Sequence, residues 1–165
     1  MVFACYIGLL GLAATFDVWR FIIPNAIPAA LAALFVAVAL TATPEAGWAP
    51  HAGAALVAFL AGAALHRFGL LGGGDVKLMA ALALWTGFER LLDLTVAVAL
   101  CGGILALALV AVRRLVAAVP VARVRPDKAP RPRVLTVGEG VPYGVAIAAG
   151  GLIVGMGLPQ LGIIG

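Results

Sequence analysis

The chain has 165 residues, of which 64% are hydrophobic and 11% charged, with a formal net charge of +4 and a mean hydropathy of +1.17. Soluble domains are about 45–50% apolar and about 25% charged, so this composition excludes a water-soluble core, which would lack the polar surface to cover it. A closed β-barrel would need alternating apolar and polar residues, whereas the apolar runs here are continuous and rich in Ala and Leu. We therefore predict an all-α polytopic membrane protein.

Six apolar segments follow one another along the chain. Since a spanning helix needs about 20 mostly apolar residues, the predicted crossings are residues 2–19, 24–40, 52–65, 76–88, 94–112 and 141–158. The fourth segment is short, and we expect it to tilt little, to thin the bilayer locally or to be partly re-entrant. Together, residues 1–165 form a single transmembrane domain with about six transmembrane helices.

The loop between the fifth and sixth segments, residues 113–138, is far more basic than any other loop. It contains Arg113, Arg114, Arg123, Arg125, Lys128, Arg131 and Arg133. Such a loop faces the cytoplasm by the positive-inside rule, and this topology signal explains the run better than nucleic-acid binding. With six crossings, Asp17 and Asp75 also face the cytoplasm, while Glu45 and Glu89 face outwards. Three cations not used in this assignment fall on the cytoplasmic side: Arg20, Arg67 and Lys77.

Two of the seven acidic residues, Asp17 and Asp75, interrupt or open apolar segments instead of lying in loops. A charge at membrane depth costs a few kcal/mol, so each needs a partner or a use. Structural explanations exist, because Asp17 can pair with Arg20 on one helix face and Asp75 can accept hydrogen bonds from the free amides of a helix start. Two such carboxyl groups on one membrane face indicate a more specific function.

Two carboxyl groups that meet cannot easily both ionise, so the pair shares a proton. The ionised member can then take a proton from water while the protonated member polarises a scissile carbonyl, as in aspartic proteases. This chemistry needs no metal or cofactor. Gly72, Gly73 and Gly74 precede Asp75 and are expected to adopt positive φ and to let the backbone come close to another chain. We expect a flexible loop that leaves room for an extended peptide, and a simple tight turn is the alternative.

Other catalytic centres find less support in the sequence. The chain contains no serine, which excludes a serine protease of the rhomboid type, and it lacks a His-Glu-x-x-His motif. Cys5 and Cys101 lie in apolar runs without metal-ligand spacing and are interpreted as small buried hydrophobic residues, so no metal site is predicted. His51 and His66 are predicted on opposite membrane sides and would not form a pair.

At these residues the sequence resembles the type IV prepilin peptidases, bacterial inner-membrane aspartyl proteases with a Gly-x-Gly-Asp motif. The matching segments are Asp17 with Ile23-Pro24-Asn25, then Gly72-Gly73-Gly74-Asp75-Val76-Lys77-Leu78, and finally Val141-Pro142-Tyr143-Gly144. The family often has basic residues directly before Ile-Pro-Asn, where this chain has Phe21 and Ile22. Larger members carry paired Cys-x-x-Cys motifs associated with N-methylation. The chain lacks them and is similar to the small peptidase-only members of tight-adherence (Flp-type) pilus systems, so methyltransferase activity is not expected.

The resemblance implies a substrate, a site and partners. The substrate would be a prepilin with a short basic leader and a hydrophobic helix, cleaved after a glycine at the cytoplasmic face of the inner membrane. Asp17 and Asp75 would be the catalytic pair, with acid and base left open. The implied supporting residues are Gly72, Gly73, Gly74, Lys77, Arg20, Pro24, Asn25, Pro142, Tyr143 and Gly144. Arg20 and Lys77 either act on the two aspartates or lie at the membrane surface as anchors, and we favour the position at the surface. Lipid and pilus assembly proteins are the other expected partners.

Two other functions remain as alternatives. A non-catalytic transport or pilus-assembly protein would use the aspartates to bind ions or relay protons, but such sites tend to lie at the bilayer midplane between internal repeats. An intramembrane protease of the presenilin or signal-peptide-peptidase kind shares the Gly-x-Gly-Asp motif. Its first aspartate follows a tyrosine, whereas Phe16 precedes Asp17 here.

Overall fold

The computed structural model describes residues 1–41, 47–118 and 140–157, and within these ranges the chain is helical without any strand. The helices are α1 (Val2–Arg20), α2 (Ala26–Ala39), α3 (Ala49–Arg67), α4 (Gly73–Thr86), α5 (Leu91–Ala118) and α6 (Tyr143–Gly155). Three of them, α1, α3 and α5, are long and apolar enough to cross a membrane, and α2 and α6 are shorter apolar helices. The prediction of an all-α polytopic membrane protein is confirmed.

Several helix limits differ from the predicted ones. α4 begins at Gly73, three residues earlier than predicted, because tertiary packing rather than propensity stabilises most helices and tolerates glycines in a first turn. α5 continues to Ala118, so the first residues of the predicted basic loop are helical. The remainder of that loop, residues 119–138, and Glu45 lie outside the described residues.

α4 and α6 form the centre of the bundle. α4 packs against α2, α3, α5 and α6, while α6 packs against α1, α4 and α5. The side chains of Leu78, Leu82 and Trp85 on α4 are fully buried. By contrast α5 exposes large apolar side chains such as Ile104 and Leu107 to the surroundings, as expected of a lipid-facing helix. The residues on α4 and α6 are therefore the ones whose positions the fold determines most tightly.

Glycines on α6 let the neighbouring helices approach its backbone. A Cβ atom added to Gly150 would lie 2.6 Å from Val98 Cγ2 and 2.8 Å from the Val98 backbone nitrogen. A Cβ atom on Gly151 would lie 2.6 Å from the side chain of Leu82. The hydroxyl of Tyr6 on α1 also donates a hydrogen bond of 3.0 Å to the Gly151 carbonyl oxygen. Small residues at helix contacts are typical of membrane bundles, where association depends on close packing.

The bundle has two chemically different ends. At the aspartate end, defined as the end where α1 stops and α4 and α6 begin, lie both Asp17 and Asp75. At the opposite end, aromatic rings pack around His51, whose Nδ1 lies 2.9 Å from the carbonyl oxygen of Leu84. α4 runs antiparallel to α3 from one end to the other, since its start lies beside His66 and Gly87, directly after its last residue, lies beside His51.

We predict that Gly150→Ala destabilises the bundle by about 1–3 kcal/mol, because its new methyl group would overlap backbone atoms that cannot rotate away. The matched control is Gly103→Ala on α5, where an added Cβ meets no atom within 4 Å. The control should leave the thermal unfolding midpoint of the detergent-solubilised protein unchanged or slightly raised, because Ala favours helix over Gly. Equal midpoints for the two variants would contradict this packing of α6 against α5.

Candidate active site

The carboxyl group of Asp17 contacts the start of α6. Asp17 lies in the last turn of α1, where 5% of its surface is exposed. Its Oδ2 accepts a hydrogen bond of 3.2 Å from the backbone N–H of Val145 in the first turn of α6. The first amides of a helix have no partner within the helix and carry the positive end of its dipole. The start of α6 therefore offers a hydrogen-bond donor to the carboxyl group of Asp17.

Asp75 occupies the third position of α4 and turns back onto the start of its own helix. Its Oδ2 accepts a hydrogen bond of 3.2 Å from the backbone N–H of Gly72, the N-cap residue. This is the acidic half of a capping box, since Gly72 has no side chain to supply the other half. Asp75 is 9% exposed and lies, like Asp17, at the aspartate end of the bundle.

The side chain of Ile23 separates the starts of α4 and α6. A Cβ atom on Gly74 would lie 3.0 Å from Ile23 Cβ and 3.2 Å from its carbonyl oxygen. A Cβ atom on Gly144 would lie 2.6 Å from Ile23 Cδ1 and 2.8 Å from Asp17 Oδ2. Since Ile23 precedes a proline, its backbone favours the extended conformation. The connection between α1 and α2 therefore fits against two glycines, one beside each aspartate.

The predicted positive φ of the glycine run was wrong. Gly72 is extended, with φ −72° and ψ 146°, and Gly73 and Gly74 are the first two residues of α4. Positive φ values near the site belong instead to Phe21, at 53°, and Gly69, at 71°. Gly74 has no side chain, and another segment can therefore approach its backbone closely. The fold does not require a positive φ at this position.

The cationic residues predicted near the site do not pair with its carboxyl groups. The Nζ of Lys77 donates a hydrogen bond of 2.8 Å to Oδ1 of Asn25, and the guanidinium of Arg20 lies 5.9 Å from the centre of the Phe16 ring. In the part of the chain that the structure describes, neither cation forms an ion pair with Asp17 or Asp75.

The remaining predicted residues surround the two aspartates in different ways. The carbonyl oxygen of Pro24 accepts a hydrogen bond of 3.0 Å from Ile27 and so starts α2. Pro142 is fully buried and caps α6, and Tyr143 opens that helix with a half-exposed side chain. Across residues 1–41, 47–118 and 140–157, no group of three or more His, Cys, Asp and Glu side chains could hold a metal ion.

Sequence reasoning missed two residues at this end of the bundle. Val145 contributes only its backbone N–H, which any residue type could supply, so no sequence signal marks it. The imidazole of His66 lies beside Gly73, and its Nδ1 is 2.8 Å from the carbonyl oxygen of Leu71. That contact crosses the turn between α3 and α4. No spacing of residues in the sequence indicates that His66 would lie there.

Comparison with known families gives one match. The model of the type IV leader peptidase family matches residues 4–107, which is more than half of the chain and includes both Asp17 and Asp75. No curated protein and no solved structure matches the chain.

Proposed function

Because the chain belongs to the type IV leader peptidase family, and is therefore a protease, we propose that it is an aspartic endopeptidase that removes the leader from Flp-like prepilins. In this proposal Asp17 and Asp75 are the catalytic pair. The observation that carries it is the burial of two carboxyl groups, from α1 and α4, at the same end of an otherwise apolar bundle.

The proposed reaction uses one carboxylate and one carboxylic acid. The carboxylate removes a proton from a water molecule, whose oxygen attacks the scissile carbonyl carbon. The carboxylic acid donates its proton to the carbonyl oxygen, which gives a gem-diol intermediate. The first carboxyl group then passes the proton it took from water to the leaving nitrogen as the C–N bond breaks, and the second takes back a proton from a hydroxyl of the gem-diol, which restores the starting pair. The amides of Val145 and Gly72 would hold the two carboxyl groups in place during these transfers.

The charge distribution supports cleavage at the cytoplasmic face of the inner membrane. Arg20, Arg67 and Lys77 end or begin helices at the aspartate end, as the positive-inside rule requires of a cytoplasmic face. A short basic leader would then lie at the lipid headgroups while the hydrophobic helix of the prepilin stays in the bilayer. We propose peptidase activity alone, without methyl transfer, because the sequence has no Cys-x-x-Cys motif.

Co-expression with candidate prepilins tests this function. We expect that a small membrane protein with a basic leader, encoded near this gene, loses its leader and migrates faster on a denaturing gel. The control is the same prepilin with the glycine before the cleavage point replaced by valine, which should stay uncleaved. A full-length precursor persisting for every candidate, with the peptidase present in the membrane, would contradict the proposal and favour a transport or assembly function.

A further inference from the structure

The hydrogen bond between Lys77 and Asn25 links the two motifs that contain the aspartates. Lys77 lies on α4 two residues after Asp75, and Asn25 ends the connection that begins after Asp17. The donor and acceptor are 52 residues apart in the chain, and their distance of 2.8 Å is typical of a charge-assisted hydrogen bond. The contact therefore ties two separate elements of the site together.

Asn25 bonds Lys77 instead of forming the side-chain cap bond that is usual at the start of a helix. It is the N-cap residue of α2, where an asparagine side chain usually accepts a hydrogen bond from a backbone N–H of the first turn. The Asn25 side chain makes no such cap bond, and its Oδ1 faces Lys77 instead. The side chain thus contributes to the contact between elements and not to the start of its own helix.

Lys77 is badly placed to act on Asp75 directly. Residues two apart on a helix do not face each other, and the Lys77 ammonium group is already bonded to Asn25. The Lys77 side chain also differs from a simple membrane anchor. The charged end of an anchor would contact only water and lipid headgroups, whereas the Lys77 ammonium group bonds Asn25. What the bond can do is hold the connection between α1 and α2 against the first turns of α4.

That connection is held at three points, of which the Lys77 contact is the last. Its first residue, Phe21, adopts the left-handed conformation and donates its N–H to the carbonyl oxygen of Asp17. Its middle residue, Ile23, lies against Gly74 and Gly144. The segment thus starts one turn after Asp17, and its end is bonded to α4 two residues after Asp75, so it joins the two helix ends that contain the aspartates.

We propose that Lys77 and Asn25 are positioning residues, whose mutual hydrogen bond sets the relative placement of Asp17 and Asp75 for peptide hydrolysis. This inference rests on the proposed function, since it assigns a role within the same site. Misplacing catalytic groups by a small distance lowers the rate of the chemical step more than it weakens substrate binding.

A double-mutant cycle measures the coupling. Lys77→Met removes the donor but keeps the aliphatic stem, and Asn25→Ala removes the acceptor without losing a cap bond. With the protein in lipid nanodiscs and a cleaved prepilin, we expect each substitution to lower kcat about tenfold with little change in KM. The double variant should be no slower than either single variant. Asn25→Asp keeps an acceptor oxygen for Lys77, so its kcat should stay within about threefold of the wild-type value.

A matched control is Arg114→Met, which removes an exposed cation from α5 and should leave kcat unchanged. Multiplied losses in the double variant, a raised KM with normal kcat, or an effect of only one of the two substitutions would each overturn the positioning role.

Hydrogen exchange separates failure of this inference from failure of the proposed function. In Lys77→Met and Asn25→Ala we expect faster exchange than in wild type at the amides of Phe21 and Ile27, which donate to the carbonyl oxygens of Asp17 and Pro24, whether or not any prepilin is cleaved. Unchanged exchange there would overturn the link itself. If the wild-type protein cleaves no prepilin while exchange responds as expected, the proposed peptidase function fails and the link between the two elements stands.

Discussion

Asp17→Asn and Asp75→Asn are each expected to reduce prepilin cleavage by at least about 100-fold. General acid–base catalysis contributes about 10²–10⁴-fold in enzymes, and an amide can neither take a proton from water nor donate one as a carboxylic acid does. The side-chain oxygen of an asparagine can still accept the hydrogen bonds from Val145 or Gly72, so the fold should be retained. The measurement is the initial rate of leader removal by purified protein in nanodiscs.

The matched control for these variants is Asp93→Asn. Asp93 is an exposed carboxylate in the first turn of α5, at the end of the bundle opposite the aspartates. Its substitution changes the net charge by the same amount and should leave the rate unchanged. Near-normal cleavage by either Asp17→Asn or Asp75→Asn, with the protein folded and in the membrane, would remove the catalytic pair from the proposal.

Gly144→Ala is expected to lower the cleavage rate on the order of 100-fold, because a misplaced catalytic group loses about that much. The added Cβ atom would lie 2.8 Å from Oδ2 and 2.9 Å from Cγ of Asp17, as well as 2.6 Å from Cδ1 of Ile23. The carboxyl group of Asp17 must therefore move, and it would lose the hydrogen bond that it accepts from the Val145 amide. Because the overlapping atoms are side-chain ends and not backbone, the protein should still fold.

A second substitution separates displacement of the carboxyl group from simple crowding. Ile23→Val removes the Cδ1 atom that the new methyl group would overlap, but leaves the overlap with Asp17. In the double variant with Gly144→Ala we expect a higher thermal midpoint than in Gly144→Ala alone, while cleavage remains low. Recovery of cleavage together with stability would show that crowding by Ile23, and not movement of Asp17, caused the loss. Gly8→Ala on α1, where an added Cβ meets nothing within 4 Å, is the control for a neutral glycine substitution.

The candidate site could be predicted from the sequence because acidic residues are rare in this chain. In a chain with only seven acidic residues, two within or beside apolar segments stand out, since burying a charge in a membrane costs free energy. The same contrast between apolar and charged residues predicted the helices, with limits wrong by a few residues. What failed was the positive φ expected of the glycines before Asp75, whereas the close approach expected of them is seen where Gly74 lies against Ile23. Composition does not distinguish a glycine that needs positive φ from one that needs close contact.

By itself the sequence determined that the protein is an all-helical membrane protein, and it predicted Asp17 and Asp75 as the candidate catalytic pair. The hydrophobicity and the charge of a side chain depend on its residue type alone, so their distribution can be read along the chain. Only the tertiary structure decided that the Val145 amide holds Asp17, that Ile23 lies between two glycines and that Lys77 bonds Asn25. Those contacts join residues distant in the chain, and their distances and directions depend on how helices pack, which no local pattern encodes.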